Sequence, residues 1–349
     1  VWDAGAVGRI RDMTDSMLAG RLDVRTKRFE VTEVPRPTPG PGQVLVEVRA
    51  AGICLSDVHL VDGTLNPLFL RGDQVTLGHE VAGVVAEEGE GVSGWAGRRV
   101  TLQAGEEIGG WIHTRGVDYD GGWAQYALST VGTLVPIPDS LPFEQACIVP
   151  DAVSTPWASI VRTAGVRAGE PVGVWGIGGL GAHAVQLLRL AGAAPIVAVD
   201  PVGSARQRAL DLGADLALDP SEDVAARVRE LTGGAGLAYA FDFAGVPPVR
   251  EQAVRCLERD GGLVLVGLTD QPLTIRNGTQ FSYFGQRLLG HYGSEPQHVE
   301  QLVALIRHGR LDLSRSISGT LPLEEAARGI EMLERKEGDP IRLVLLPNG

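Results

Sequence analysis

Val172-Gly-Val-Trp175-Gly176-Ile177-Gly178-Gly179-Leu180-Gly181 decides the fold of this 349-residue chain. A short apolar run leads into Gly176, Gly178 and Gly181 at G-x-G-x-x-G spacing. Glycine at these places allows a tight turn, lets backbone N–H groups approach a pyrophosphate, and lets a helix pack closely on a strand. Glycine-rich turns in unrelated proteins share the pattern, so its context carries the reading. Here it follows a strand and opens a helix, in which Leu180, Ala184, Leu187 and Ala191 recur at helical spacing and Gly192 is placed to end it. Asp200 closes the next apolar run, somewhat beyond the roughly 20-residue offset usual for the acidic residue that bonds the ribose hydroxyls. A carboxylate there favours NAD and repels the 2′-phosphate of NADP, although Arg206 and Arg208 are close enough in sequence to assist a phosphate.

Downstream the same alternation continues. Strands are expected at Val172–Trp175, Ile196–Asp200, Leu216–Asp219, Tyr239–Asp242 and Leu263–Gly267, separated by helices near Leu180–Ala191, Ser204–Leu212, Asp223–Leu231 and Val249–Glu258. This order predicts an α/β fold with a parallel, doubly wound sheet. Upstream the chain reads as short strands between Gly/Pro turns, at Gln43–Arg49, Val81–Glu87 and Arg99–Leu102, with little regular helix before about residue 145. Helices over Val299–His308 and Leu323–Arg335 and a strand over Ile341–Leu346 complete the chain.

A second cluster of chemistry lies in the upstream part. Gly52-Ile-Cys54-Leu-Ser56-Asp57-Val-His59 is followed after a loop by Gly78-His79-Glu80. Cys54 and His79 are good zinc ligands set beside a hydroxyl, carboxylates and a second imidazole, and a catalytic zinc takes three protein ligands and keeps one position open. The other two cysteines, Cys147 and Cys256, sit among apolar residues and read as small buried hydrophobes. Three widely spaced cysteines make no disulfide framework.

Composition narrows the function classes. The net charge is −12, and lysine occurs only at Lys27 and Lys336, so nucleic-acid binding has no electrostatic basis. No apolar run approaches the roughly 20 residues of a membrane span. The first twenty residues, with Arg9, Arg11, Asp12 and Asp15, read as no signal peptide, and a cytoplasmic protein is expected.

The zinc-ligand segment at Cys54, the Gly78-His79-Glu80 motif and the dinucleotide fingerprint at Gly176–Gly181 together resemble the zinc-dependent medium-chain dehydrogenase/reductase (alcohol dehydrogenase) family. The resemblance runs from about Met17 to the C-terminus and leaves residues 1–16 as an extension. It implies a GroES-like β-rich catalytic domain (residues 1–153 and 292–349) plus a Rossmann dinucleotide-binding domain (154–291). The implied activity is hydride transfer between NAD(H) and an alcohol or carbonyl substrate. The alternative is an enoyl reductase saturating an α,β-unsaturated acyl-CoA thioester or ketone.

By the same resemblance Cys54 and His79 are the first two zinc ligands. Ser56 bonds the substrate oxygen, His59 relays its proton, and Asp57 and Glu80 are carboxylates behind the ligands. Leu180 and Thr155 lie by the nicotinamide, Gly176, Gly178, Gly179 and Gly181 by the pyrophosphate, and Arg342 contacts the pyrophosphate. Val266, Gly267 and Leu268 offer backbone near the carboxamide, and Trp123 lines the substrate cleft. Partners are a small-molecule substrate and further copies of the chain, as a homodimer or homotetramer.

Two departures from the family pattern stand out. The segment Leu102–Gly116 lacks the four cysteines that hold a structural zinc in many relatives, so one zinc per subunit is expected. His113, Glu106 and Glu107 in that segment read as a solvated loop. At the third catalytic ligand, where many relatives have cysteine, this chain has Asp151 in Val149-Pro-Asp151-Ala-Val-Ser-Thr155. A carboxylate keeps the charge of a thiolate and is a legitimate zinc ligand. Glu80 swinging in as third ligand, or a site without zinc, are the other readings. The aspartate context also resembles, over a short stretch, a branch acting on hydroxylated acyl-CoA thioesters.

Overall fold

The computed structural model describes residues 16–349. All but Ser16 of the extension expected over residues 1–16, and most of the stretch read as no signal peptide, lie outside the described residues, and Ser16 opens the strand Ser16–Asp23. Six parallel strands form one sheet in the spatial order Leu216–Leu218, Ile196–Val199, Val172–Trp175, Leu237–Asp242, Leu257–Leu265, Arg287–Gly290. Counted along the chain this is 3-2-1-4-5-6, the doubly wound order that opens a crevice beside the first strand. Val172–Trp175 and Ile196–Val199 are buried at every residue, as strands covered by helices on both faces must be. The helix after the fingerprint runs Gly179–Ala191 and ends at Gly192 in the left-handed conformation.

The β-rich part is built from both ends of the chain. Its central strand, Gln43–Ile53, pairs with Val81–Glu88, with Tyr126–Thr130 and with the last strand, Arg342–Leu346. Leu343 stands opposite Ile53, which sets Arg342 beside the segment that leads into Cys54. One continuous core joins the two parts: Ala50, Ala82 and Val344 belong to the same cluster as Val149, Val153, Val174 and Leu187.

Two expectations about this part need correction. Where little regular helix was expected, Leu55–Asp62 is a helix, so Cys54 heads a regular element. The segment read as a solvated loop is a hairpin of Gly105–Ile108 and Trp111–Thr114. In it the His113 ring packs on Phe69 at 4.5 Å between centroids, and Glu106 accepts a hydrogen bond from Thr130 Oγ1 at 2.7 Å.

The strand Leu237–Asp242 ends in a buried ion pair that shapes the loop over the crevice. Asp242 Oδ2 accepts from Arg250 Nε at 2.8 Å, Asp242 Oδ1 accepts from the Ala244 and Gly245 amides, and Arg250 Nη2 donates to the Gly267 carbonyl at 3.2 Å. Asp242 is wholly buried, so removing its partner strands a charge inside the protein. Arg250→Ala is expected to lower the free energy of unfolding by about 3–5 kcal/mol. The check is a fall in urea midpoint at unchanged m-value. A loss below about 1 kcal/mol, the worth of an exposed pair, would show that water replaces the guanidinium.

Candidate active site

Cys54 is the N-cap of the helix Leu55–Asp62. Its extended backbone turns the chain into the helix, and Asp57 closes the turn by accepting the Cys54 amide at 2.9 Å. Gly63, left-handed at φ 89°, ends the helix. Ser56 and His59, three residues apart, lie on adjoining turns of one side, both half-buried. His59 Nδ1 lies 3.5 Å from Asp62 Oδ2.

His79 and Glu80 arrive from the next segment. A side chain at Gly52 would collide with Glu80 Oε2 at 1.9 Å, so only glycine lets this carboxylate lie against the strand that ends at Ile53. Asp151 reaches the same point from a π-helical turn, Val149–Val153. Its Oδ2 lies 3.5 Å from Cys54 Sγ and 3.3 Å from His79 Nε2, while Oδ1 accepts a hydrogen bond from Thr155 Oγ1 at 2.8 Å. The ligand atoms of Cys54, His79, Glu80 and Asp151 all fall within 4.8 Å of one another. Arg342 closes the cluster from behind, with Nη2 at 2.9 Å from Glu80 Oε1 and 3.8 Å from Asp151 Oδ2.

The donor set and its loose ends fit a metal ion. Among the described residues, eleven buried side-chain polar atoms lack a hydrogen-bond partner, and six of them belong to Asp57, His59, His79, Glu80 and Arg342. Buried polar groups are normally satisfied, so this concentration marks a missing partner. His79 Nδ1 is 3.6 Å from Asp57 Oδ1, so a metal on Nε2 would leave Nδ1–H to donate to that carboxylate. Burial opposes charge on His79, but Asp57 and Asp151 outweigh it and hold the pKa well above that of a free imidazole. Burial likewise opposes charge on Asp151, and His79 and Arg342 hold it well below the usual carboxylate range. Glu80 goes the other way: burial raises its pKa to about 8 despite Arg342. A crowded set of anionic donors is therefore calling for positive charge.

The fingerprint glycines sit where the strand Val172–Trp175 passes into the helix Gly179–Ala191, at the kind of turn that suits an anion. Gly178 caps the helix without a side-chain bond, which leaves first-turn amides open for an anion. Asp200 accepts the Ile177 amide at 2.7 Å and the Val202 amide at 2.8 Å. Arg206 pairs with Asp219, and Arg208 with Asp339 and the Ile177 carbonyl, so both guanidiniums are engaged within the protein. Leu180 is half-buried, Val266 buried and Leu268 exposed at the mouth of the strand layer. Arg342 Nη1 passes within about 3 Å of where a side chain at Gly179 would begin, so one guanidinium spans the carboxylate cluster and the fingerprint turn.

Trp123 corrects an expectation: it lines no cleft. Its side chain is wholly buried, its indole N–H donates to the Gly52 carbonyl at 2.9 Å, and Phe29 meets it edge-on. Gly78, at φ +94°, leaves no room for a side chain beside the same ring. Trp123 thus braces the two segments that carry Cys54 and His79. Sequence reasoning missed the helix cap by Cys54 and Asp57, which Asp57 at the third helical position and Gly63 could have signalled. It also missed the role of Thr155 toward Asp151, for which the four-residue spacing is the only signal.

Comparison with known proteins agrees with this geometry. Residues 40–139 match the alcohol dehydrogenase GroES-like domain, and residues 179–308 match the zinc-binding dehydrogenase domain. The chain is 34% identical to the NDMA-dependent alcohol dehydrogenase of Amycolatopsis methanolica over 92% of its own length and 96% of the relative. The crystal structure of 2R,3R-butanediol dehydrogenase from Bacillus subtilis superposes with a TM-score of 0.86 at 27% identity, covering 95% of this chain and 100% of that one. Acetophenone reductase from Geotrichum candidum in complex with NAD gives 0.85 at 25% identity, covering 95% and 97%.

The remaining buried histidines are structural. His183, on the fingerprint helix, donates from Nδ1 to the Gly179 carbonyl at 2.6 Å and accepts at Nε2 from Ser316 at 2.9 Å. Burial and the nearby Arg342 push its pKa down to about 4. The unfolded chain takes up that proton near pH 6.5, so the stabilising contribution is complete above about pH 6.5 and is lost as pH falls toward 4. His183→Gln, measured by urea unfolding of metal-free protein, is expected to flatten the fall in stability by about 1.4 kcal/mol per pH unit in this window. An unchanged slope would show that His183 is protonated in the folded state.

Proposed function

This chain belongs to the zinc-dependent medium-chain dehydrogenases, and from that we propose that Cys54, His79 and Asp151 hold a single catalytic zinc facing a bound NAD. The protein is an oxidoreductase that passes a hydride between NAD(H) and an alcohol or carbonyl substrate. One observation supports the assignment most: a thiol, an imidazole and two carboxylates from three separate segments converge within 4.8 Å, and Arg342 ties that cluster to the fingerprint turn. Enoyl reduction is not favoured, since the relatives described above are named for alcohols, a diol and a ketone.

When bound, zinc supplies Lewis-acid polarisation of the substrate oxygen and eases loss of its proton. Ser56, in the first turn after Cys54, would accept that proton at its hydroxyl oxygen while giving up its own hydroxyl proton toward His59, whose imidazole would release a proton to solvent. Asp57 holds the His79 ring at Nδ1. Glu80, paired with Arg342, sets the charge behind the ligands. Open amides at Gly178–Gly181 receive the pyrophosphate with help from Arg342, while Leu180, Thr155 and the backbone of Val266–Leu268 frame the nicotinamide. The substrate is a small molecule, with a hydroxylated acyl-CoA thioester as one candidate class. The free edge of Arg287–Gly290 suits a homodimer or homotetramer, and a cytoplasmic setting belongs to the same reading.

The purified protein is expected to carry one zinc per chain, and Cys54→Ser to lose both zinc and turnover. Full activity in that variant, with dehydrogenase activity on an alcohol panel as readout, would sink the assignment. Asp200→Ala should cut kcat/KM for NAD about tenfold or more, through loss of a charge-assisted hydrogen bond, and should narrow the gap to NADP. A variant with the wild-type NAD/NADP ratio would remove Asp200 from cofactor choice.

A further inference from the structure

We propose that Thr155 is a positioning residue that caps one oxygen of Asp151 and so confines this carboxylate to metal binding through the other. The proposal rests on the reading of Asp151 as third ligand. The two carboxylate oxygens face different surroundings. Oδ2 looks into the cluster, at 3.5 Å from Cys54 Sγ and 3.3 Å from His79 Nε2, whereas Oδ1 is occupied by the Thr155 hydroxyl at 2.8 Å.

Thr155 is itself held. It is buried, and its carbonyl accepts a hydrogen bond from His291 Nε2 at 3.0 Å. A carbonyl can only accept, so Nε2 carries the proton, and Nδ1 must accept from Thr163 Oγ1, 2.8 Å away. Asp151 lies in the π turn Val149–Val153 and Thr155 in the following α turn Ser154–Ala158, with the Ser154 amide directed at the Asp151 and Val149 carbonyls. Single π turns recur at functional sites. Here the junction keeps residues 151 and 155 on one side, with the hydroxyl over Oδ1.

The arrangement matters because a carboxylate differs from a thiolate in one respect. A thiolate has one donor atom, but a carboxylate has two and can close on a metal with both. A catalytic zinc needs its remaining position for substrate. A second Asp151 oxygen would crowd that position. Donation from Thr155 draws Oδ1 away and leaves Oδ2 as the single ligand atom.

The test compares wild type, Thr155→Val and Thr155→Ser, each loaded with zinc for X-ray absorption and with cobalt(II) for optical spectra. Wild type and Thr155→Ser should show a four-coordinate site with one short carboxylate oxygen. Thr155→Val should keep one metal per chain, gain an oxygen neighbour, lose absorptivity in the cobalt d–d bands, and lose roughly 10- to 100-fold in kcat. In an Asp151→Cys background the valine change should leave the coordination number unaltered, because a thiolate has no second atom to release. An unaltered metal environment in Thr155→Val overturns the proposal, and so does a two-oxygen Asp151 in the wild-type protein, which needs no variant to fold. Asp151→Ala that retains wild-type metal content and spectrum would instead overturn the ligand reading itself.

Discussion

A guanidinium with 2% of its side chain exposed must be neutralised inside the protein, and Arg342 meets Glu80 at 2.9 Å and Asp151 at 3.8 Å. Buried pairs of this kind give little net stability, but losing one member leaves a charge with no solvent to screen it. The constraint therefore acts on placement. Arg342 opens the last strand of the chain, and that strand must pair with Gln43–Ile53 for the guanidinium to reach Glu80. Gly52 must lack a side chain for Glu80 to lie where Arg342 can find it. The Ala152 amide, at 3.1 Å from Glu80 Oε1, then anchors the turn that carries Asp151. Four distant segments are tied to one cation.

The same cation explains how two parts with different architectures share a site. The parallel sheet has its crevice beside Val172–Trp175, and the β-rich part has its carboxylates at the end of Gln43–Ile53. Arg342 lies between them, close to Gly179 on one side and bonded through Nη1 to the Ile53 carbonyl on the other. Catalytic groups from separate elements stay in fixed geometry only when their supports are packed, and here the support is a core that runs without interruption from Ala50 to Leu187.

How much of this was legible in the sequence depended on the range of the physical signal. The parallel sheet was readable because strand and helix periods alternate locally and three glycines mark the turn. Cys54, His79 and Asp151 were readable as ligand types, though only a resemblance could join Asp151 to the others. The helix Leu55–Asp62 was hidden because it is one short element, with Asp57, Val58 and Leu60 buried and the polar Ser56 and His59 half-buried, so no clean apolar stripe shows. Trp123 misled for a different reason. The resemblance placed Trp123 in the substrate cleft, yet Gly78 and Gly20 are small so that the indole can be buried between their segments. The π turn Val149–Val153 has no local sequence signature, because the widened turn answers to what surrounds it.

Charge balance gives the last step. Asp57 Oδ1 and Asp151 Oδ2 flank the His79 ring at 3.6 and 3.3 Å and favour positive charge on it, against the effect of burial. Burial raises Glu80, and Arg342 at 2.9 Å opposes it. A crowded donor set of this kind suits a cation, and a metal binds an imidazole only through an unprotonated nitrogen. A thiolate in place of Asp151 would serve the charge equally well, since it also carries −1. What the carboxylate adds is a second acceptor atom, which lets the ligand be gripped by Thr155 from one side while it faces Cys54 and His79 on the other. Asp151 is therefore held by the fold before any metal arrives, in a way that a cysteine at this position could not be.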